Sequence, residues 1–449
     1  MRASTVLLAA LAMTLPFAAA GAAGTPDDRV AAYQEFRGAF DRGDYPTALT
    51  AAARVVEMTR NQFGADAPEL ANPLTNLATT YYRMRDYGQA LDTYRAAVTV
   101  LETQNDATDP HLVRPLHGMG SALLGLERED EALLPLKRGL DIIRNRDGLH
   151  AATQLPVLRT LIAGYVATGR MADAGREQEY AFTVAEMSYG KQDPRMLGPI
   201  DELARWYEET GRYVAARLLH TRAVQIADTA HPNGAEAIPG LRGIARSFRL
   251  IATYGETQDS VTAAAQAYPD LFNGGPANTA LVAPSTNGEL ALRSALARID
   301  GVPAQAALRG AVLVDLGDWY LTANKLSRAQ ETWREAWKEL QAANDTRLLD
   351  QPAPVTYVAP AMAVSRHQRD PAENSEERVQ IRLAIDANGR VREATVANPV
   401  AERESVEKAV MSAARIAVWR PAFRAGVPVA VDDHLFSELV YVKLPKPGS

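Results

Sequence analysis

The chain has 449 residues, 48 basic and 54 acidic side chains, a formal net charge of -6 and no cysteine. That length suits about three domains, and the acidic balance gives no basic footprint for nucleic acid. Without a thiol there is no disulfide framework, thiolate nucleophile, cysteine-ligated zinc or lipid-bearing N-terminal cysteine.

Residues 1–24 read as a signal peptide. Arg2 precedes an apolar run from Val6 to Phe17, and small residues follow. Ala18-Ala19-Ala20 before Gly21, or Ala20-Gly21-Ala22 before Ala23, fits the narrow pocket of a signal peptidase. The alternative is an uncleaved membrane anchor, which needs about 20 apolar residues. The strongly apolar part here has 12, so a cleaved leader and a periplasmic mature chain are expected.

A 42-residue repeat organises residues 25–250. Alanines recur at Ala48, Ala90, Ala132, Ala174 and Ala216, each 42 after the last. Gly43, Gly169 and Gly211 stand five residues before three of them, and Tyr81, Tyr165 and Tyr207 nine before. Pro68, Pro110 and Pro194 mark the connections between units. Close approach of two helices needs small side chains, so Ala78, Gly120 and Ala204 on first helices should meet alanines on second helices. This pattern resembles the tetratricopeptide repeat, in the longer form found in kinesin light chains. The resemblance implies an α-solenoid of about five to six antiparallel helix pairs that binds a protein or a peptide.

The register then decays. Residues 251–310 read as an irregular or degenerate repeat, with Leu241, Ile244 and Phe248 just before it on a sixth first helix and a short helical piece at Val261–Ala267. A final unit over 311–345 carries Leu316, Gly317 and Tyr320 on one helix and Ala329, Trp333 and Ala336 on the next, with Trp319, Trp333 and Trp337 as core and cap residues. Residues 346–377, with Pro352, Pro354, Pro360 and Pro371, read as a Pro-rich linker holding one extended segment, Val355–Ala359.

From 378 to 446 the period changes from helical to two. Val379, Ile381, Leu383 and Ile385 alternate with polar residues, a turn at Asp386–Gly389 leads to a strand over Val391–Val396, a helix runs from Glu404 to Val418, and a last strand from Leu435 to Leu444. The expected module is a small α+β domain of order β-β-α-β. Ile385, Asp386, Gly389, Arg390 and Val391, then Trp419, Arg420, Pro421 and Ala422, then Gly426 and Pro428 look like the C-terminal domain of the TonB family. That resemblance implies docking of a partner, such as an outer-membrane receptor or envelope complex, by strand addition at Leu435–Leu444. A leader in place of the family's anchor and Asp432-Asp433-His434 before the last strand depart from the pattern. An energy transducer with a retained membrane anchor is the alternative.

Catalysis finds little support. His111, His117, His150, His220, His231, His367 and His434 form no helical i, i+4 pair, so no metal or cofactor site is expected. Gly118-Met119-Gly120 lies in a helix and suits packing. Glu208-Glu209 and Asp432-Asp433 are adjacent carboxylates that point apart and read as solvated surface. Function then falls to outward positions of the first helices, Tyr33, Arg37, Thr75, Asn76, Thr79, Tyr82, Arg83, His117, Ser121, Arg159, Asp201 and Arg205. As a set they suit an extended peptide, with arginine pairing carboxylates and tyrosine giving rigid contact area.

Overall fold

The computed structural model describes residues 26–104, 107–267, 287–299, 305–360 and 374–443. The leader at 1–24, the Gly274-Gly275-Pro276 stretch, Pro284, His367, Pro371 and Leu444 lie outside the described residues. The chain divides into a unit ending at Glu127 and a second unit from Arg128 onward.

The first unit contains α1 (Pro26–Asp41), α2 (Tyr45–Phe63), α3 (Ala71–Arg83), α4 (Tyr87–Gln104) and α5 (Val113–Gly125). Successive helices pack as antiparallel neighbours. Pro68 and Pro110 each open a 3-10 turn that leads into the next first helix, because proline needs no amide partner at that position. Tyr94 lies against Gly118, where a Cβ would overlap its ring. Packing therefore accounts for Gly118.

The second unit continues with α6 (Glu129–Asp147), α7 (Leu155–Ala167), α8 (Met171–Tyr189), α9 (Leu197–Glu209), α10 (Tyr213–Ala230), α11 (Ile238–Tyr254), α12 (Gln258–Ala267), α13 (Asn287–Ala297), α14 (Ala306–Thr322) and α15 (Leu326–Ala342). Ala48, Ala90, Ala132, Ala174 and Ala216 each stand fourth in a second helix and are fully buried. Ala329 holds the same place in α15.

The turn before each second helix needs one residue with positive φ. Glycine supplies it at 43, 169 and 211, while Arg85 (φ 63°), Glu127 (φ 57°) and Asn324 (φ 56°) take the same position elsewhere. A Cβ in the left-handed region costs about 1–2 kcal/mol, partly offset by the greater freedom of glycine in the unfolded chain. Arg85→Gly and Glu127→Gly should each therefore stabilise the protein by about 0.5–1 kcal/mol, measured by urea denaturation. A loss of stability would contradict this account of the turn.

The expected irregular region contains more order than its composition suggests. One repeat after Ala216 stands Gln258, too large for the closely packed position, and α12 packs against α10 instead. The Glu256 carboxylate anchors that arrangement by accepting from the Val214 amide at 2.7 Å. α13, inside the stretch expected to be irregular, packs against α11 and α14. The final pair begins at Ala306, earlier than the expected 311, because α14 is apolar over most of its length.

The C-terminal strands are β1 (Ala353–Thr356), β2 (Asn374–Ile385), β3 (Val391–Val396), β4 (Val418–Arg420), β5 (Ala422–Arg424), β6 (Val427–Val429) and β7 (Val431–Lys443), with α16 (Glu404–Ile416) between β3 and β4. The main sheet has order β3-β2-β7, and β2 pairs antiparallel with both neighbours. Val379, Ile381, Leu383 and Ile385 form its buried row with Val410, Ala414 and Trp419.

Three expectations need correction. The stretch 346–377 is not all linker, since β1 pairs with β4 and β2 begins at Asn374. The helix ends at Ile416, because Val418 enters that pairing. The last strand starts at Val431, since its charges have partners: Arg392 meets Asp432 at 2.6 Å and Arg382 meets Asp433 at 2.7 Å. Short strands β4, β5 and β6 complicate the simple β-β-α-β order. Asp386 closes its turn by accepting from the Asn388 and Arg390 amides at 2.8 and 2.9 Å. Gly389 has φ 79°, and a Cβ there would collide with the Trp419 carbonyl.

Candidate functional site

In the first unit, α1, α2 and α3 enclose a groove of about 830 Å³. Tyr33, Phe36, Arg37 and Phe40 share one face of α1, as their spacing of three and four dictates. Their rings follow one another, with centroids 6.0 Å apart for Tyr33–Phe36 and 5.6 Å for Phe36–Phe40. Val55, Thr59 and Phe63 come from α2, and Asn72, Asn76 and Thr79 from one face of α3. Phe36 and Val55 are buried, whereas Val30, Tyr33 and Phe63 keep large apolar area exposed.

Polar groups rim this apolar lining. Arg29 lies over the Phe63 ring at 5.0 Å. The Tyr33 hydroxyl one turn back and Asp41, 3.8 Å away, hold the Arg37 guanidinium above its ordinary value. Arg114 reaches in from α5 and donates to Asn76 Oδ1 at 3.3 Å. Thr79 Oγ1 and the Tyr94 hydroxyl lie 2.9 Å apart, and burial raises the Tyr94 pKa. Among the described residues neither Arg29 nor Arg114 is joined to a carboxylate.

Four of the twelve expected binding residues, Tyr33, Arg37, Asn76 and Thr79, line this groove. Thr75 does not, being buried with its hydroxyl bonded to the Ala71 carbonyl at 2.7 Å. The Tyr82 ring lies tilted against Tyr87 with centroids 5.4 Å apart, and Arg83 is exposed outside the lining. His117 is half-buried, and desolvation lowers its pKa. Ser121 donates to the His117 carbonyl at 3.0 Å.

Arg159, Asp201 and Arg205 belong to the second unit, whose first helices are laced by ion pairs. Arg159 on α7 donates to Glu202 on α9 at 2.8 Å, and Arg205 pairs with Asp201 within α9. Glu208 on α9 meets Arg246 on α11 at 2.7 Å, and Arg242 on α11 meets Asp315 on α14 at 2.6 Å. Glu208 is therefore no solvated surface group: its side chain is 8% exposed. Arg159, Glu208, Arg242 and Arg246 are thus engaged between neighbouring helices.

Sequence reasoning missed Arg29, Phe63, Asn72 and Arg114. The spacing 29, 33, 36, 40 on α1 and 72, 76, 79 on α3 carries the signal for two of the groove's walls, whereas Phe63 sits on a second helix, outside the face considered, and Arg114 comes from α5. Among the described residues no cluster of three or more metal-ligating side chains occurs.

Residues 37–103 match the tetratricopeptide repeat family. No curated protein matches the chain. Solved structures similar to it include the nearly identical TPR-like repeats of a Podosopora anserina kinesin light chain, 18% identical over 46% of this chain and 98% of that one, with a TM-score of 0.41. The C-terminal part of a TPR repeat-containing protein from Cytophaga hutchinsonii is 14% identical over 70% and 97%, with a TM-score of 0.42. BtubC from P. vanneervenii is 15% identical over 67% and 92%, with a TM-score of 0.40.

Proposed function

We propose that this protein is an exported adaptor of the bacterial periplasm, whose helical repeats bind an extended peptide or protein segment and whose strand module docks a second partner. The observation that carries the peptide reading is the groove of the first unit, with its exposed Tyr33 and Phe63 and with Arg29 and Arg114 unmatched by carboxylates among the described residues. Aromatic rings provide contact area at little entropic cost, and arginine gives bidentate bonds to acidic side chains. Asn72 and Asn76 bring donors and acceptors suited to a peptide backbone.

Strand addition at β7 is the reading offered for the module. Among the described residues β7 has one neighbour in its sheet, and its other edge carries backbone groups that a partner strand can pair. The likeness of the turn, WRPA and GVPV segments to TonB-family domains supports this reading, and the composition of residues 1–24 supports export.

Quantitative capture from periplasmic extract, with the full chain as bait, tests the groove. The double variant Arg29→Glu/Arg114→Glu should retain about one tenth or less of the partner held by wild type, with unchanged far-UV circular dichroism. Equal capture by the two baits would remove the groove from consideration. Sequencing the mature N-terminus separately tests export.

A further inference from the structure

We infer that the strand module, beyond any docking role, is the terminal cap of the helical array, joined to the last hairpin as one cooperative unit. The sequence points to a tether between separate bodies, whereas the side chains point to a weld.

α14 is buried around most of its circumference, from Val312, Leu313 and Val314 to Leu316, Trp319 and Tyr320. A helix of that kind cannot stand at the open end of a stack, and repeat arrays require their last unit to be covered. α11, α13 and α15 pack against α14, and β1 and β4 pack against it as well. Phe423 of β5 is 1% exposed and belongs to the same apolar cluster as Trp333 and Leu340. Its ring meets Trp333 edge-on at 6.1 Å, and its amide donates to the Leu349 carbonyl at 2.7 Å.

The decisive contact is polar. Asp318, inside α14, is buried, and its two carboxylate oxygens receive Arg420 Nη1 at 2.9 and 2.7 Å. Arg249 and the Trp333 indole complete the shell at 3.3 and 3.2 Å. Arg420 also donates to the Leu348 carbonyl at 3.0 Å. A carboxylate placed in the core of a hairpin is costly unless its countercharge arrives with it. Arg249 comes from the array, and Arg420 comes from β4. Gln330 on α15 bonds to Asn388 in the β2–β3 turn at 3.1 Å, and the Tyr254 hydroxyl donates to the Tyr357 carbonyl at 2.5 Å. The seam therefore involves α11, α14 and α15. Capping requires no external partner, so it stands or falls apart from the adaptor reading.

Native-state hydrogen exchange on the full chain tests the cap. Arg420→Met should speed exchange by at least about tenfold in α14 and α15 as well as in residues 353–360 and 374–443, because the buried Asp318 carboxylate lies on the array side and loses its closer guanidinium, keeping only Arg249 at 3.3 Å as countercharge. The pair Asp318→Leu/Arg420→Met, apolar on both sides, should return much of that protection. Arg420→Lys keeps the charge, loses the planar fork, and gives a milder version of the same pattern should the methionine variant fold poorly. Faster exchange confined to the strand module, with α14 and α15 as in wild type, would make the module a passenger and overturn the inference.

Discussion

Trp333→Ala should lower the stability of the second unit by about 3–5 kcal/mol, the range for emptying a fully buried tryptophan site. The side chain is wholly inaccessible, and a Cβ on Gly317 would overlap its indole, so the surrounding helix has been shaped to this one ring. Its Nε1 donates to Asp318 at 3.2 Å, and Phe423 packs on it edge-on. Truncation thus opens a cavity and also takes a donor from a buried carboxylate, two costs that act in the same direction. Trp337 provides the control. It is only partly buried beside the core and packs on Gly426, so Trp337→Ala should cost clearly less. Urea denaturation of the two variants, followed by tryptophan fluorescence and circular dichroism, checks the ranking. Equal losses would contradict it.

Glu208→Ala should cost about 3–5 kcal/mol, because it leaves partners of a buried carboxylate unmatched. His220, 1% exposed, lies 3.1 Å from one carboxylate oxygen, Arg246 meets the other at 2.7 Å, and the Ser247 hydroxyl donates at 3.3 Å. Burial pushes this carboxyl upward, but the His220 hydrogen bond and the Arg246 charge outweigh it and hold its pKa below the ordinary 4.5. The contribution to stability follows from that sign. It is fully present above the unfolded-state value near 4.5 and is lost as pH falls through the depressed folded value. Wild type should therefore lose stability more steeply than Glu208→Gln as pH drops below about 4.5. Parallel acid limbs in urea melts would remove Glu208 from this role.

The two modules differ in how much of them could be read from residues alone. The alanine register was legible because a close helix crossing tolerates only small side chains, whichever helices they are. The alternation of Val379, Ile381, Leu383 and Ile385 was legible because strand side chains alternate between faces. In contrast, Gln258 broke the register, and nothing local indicates that α13 comes to lie beside α11. Most of the groove was equally hidden. Tyr33 and Asn76 follow from the face of a first helix, but Phe63 and Arg114 come from other elements and join the lining only when the helices assemble.

Arg420 marks the boundary most sharply. Its place after Trp419 is that of a motif in a small β-rich domain, and its neighbours explain themselves as turn and core residues. That its guanidinium leaves this domain and enters the helical array follows only from the position of Asp318, 102 residues earlier in the chain. Periodicity, turn chemistry and small-residue spacing are local properties, and so the chain alone determined the helix hairpins, the hairpin of strands and the change of class after the last helical pair. Which charges are neutralised, which aromatic rings stay uncovered and what closes the last hairpin depend on groups far apart in the chain. Burial and ion pairing set their energies only after folding has brought them together, so the tertiary structure decided them.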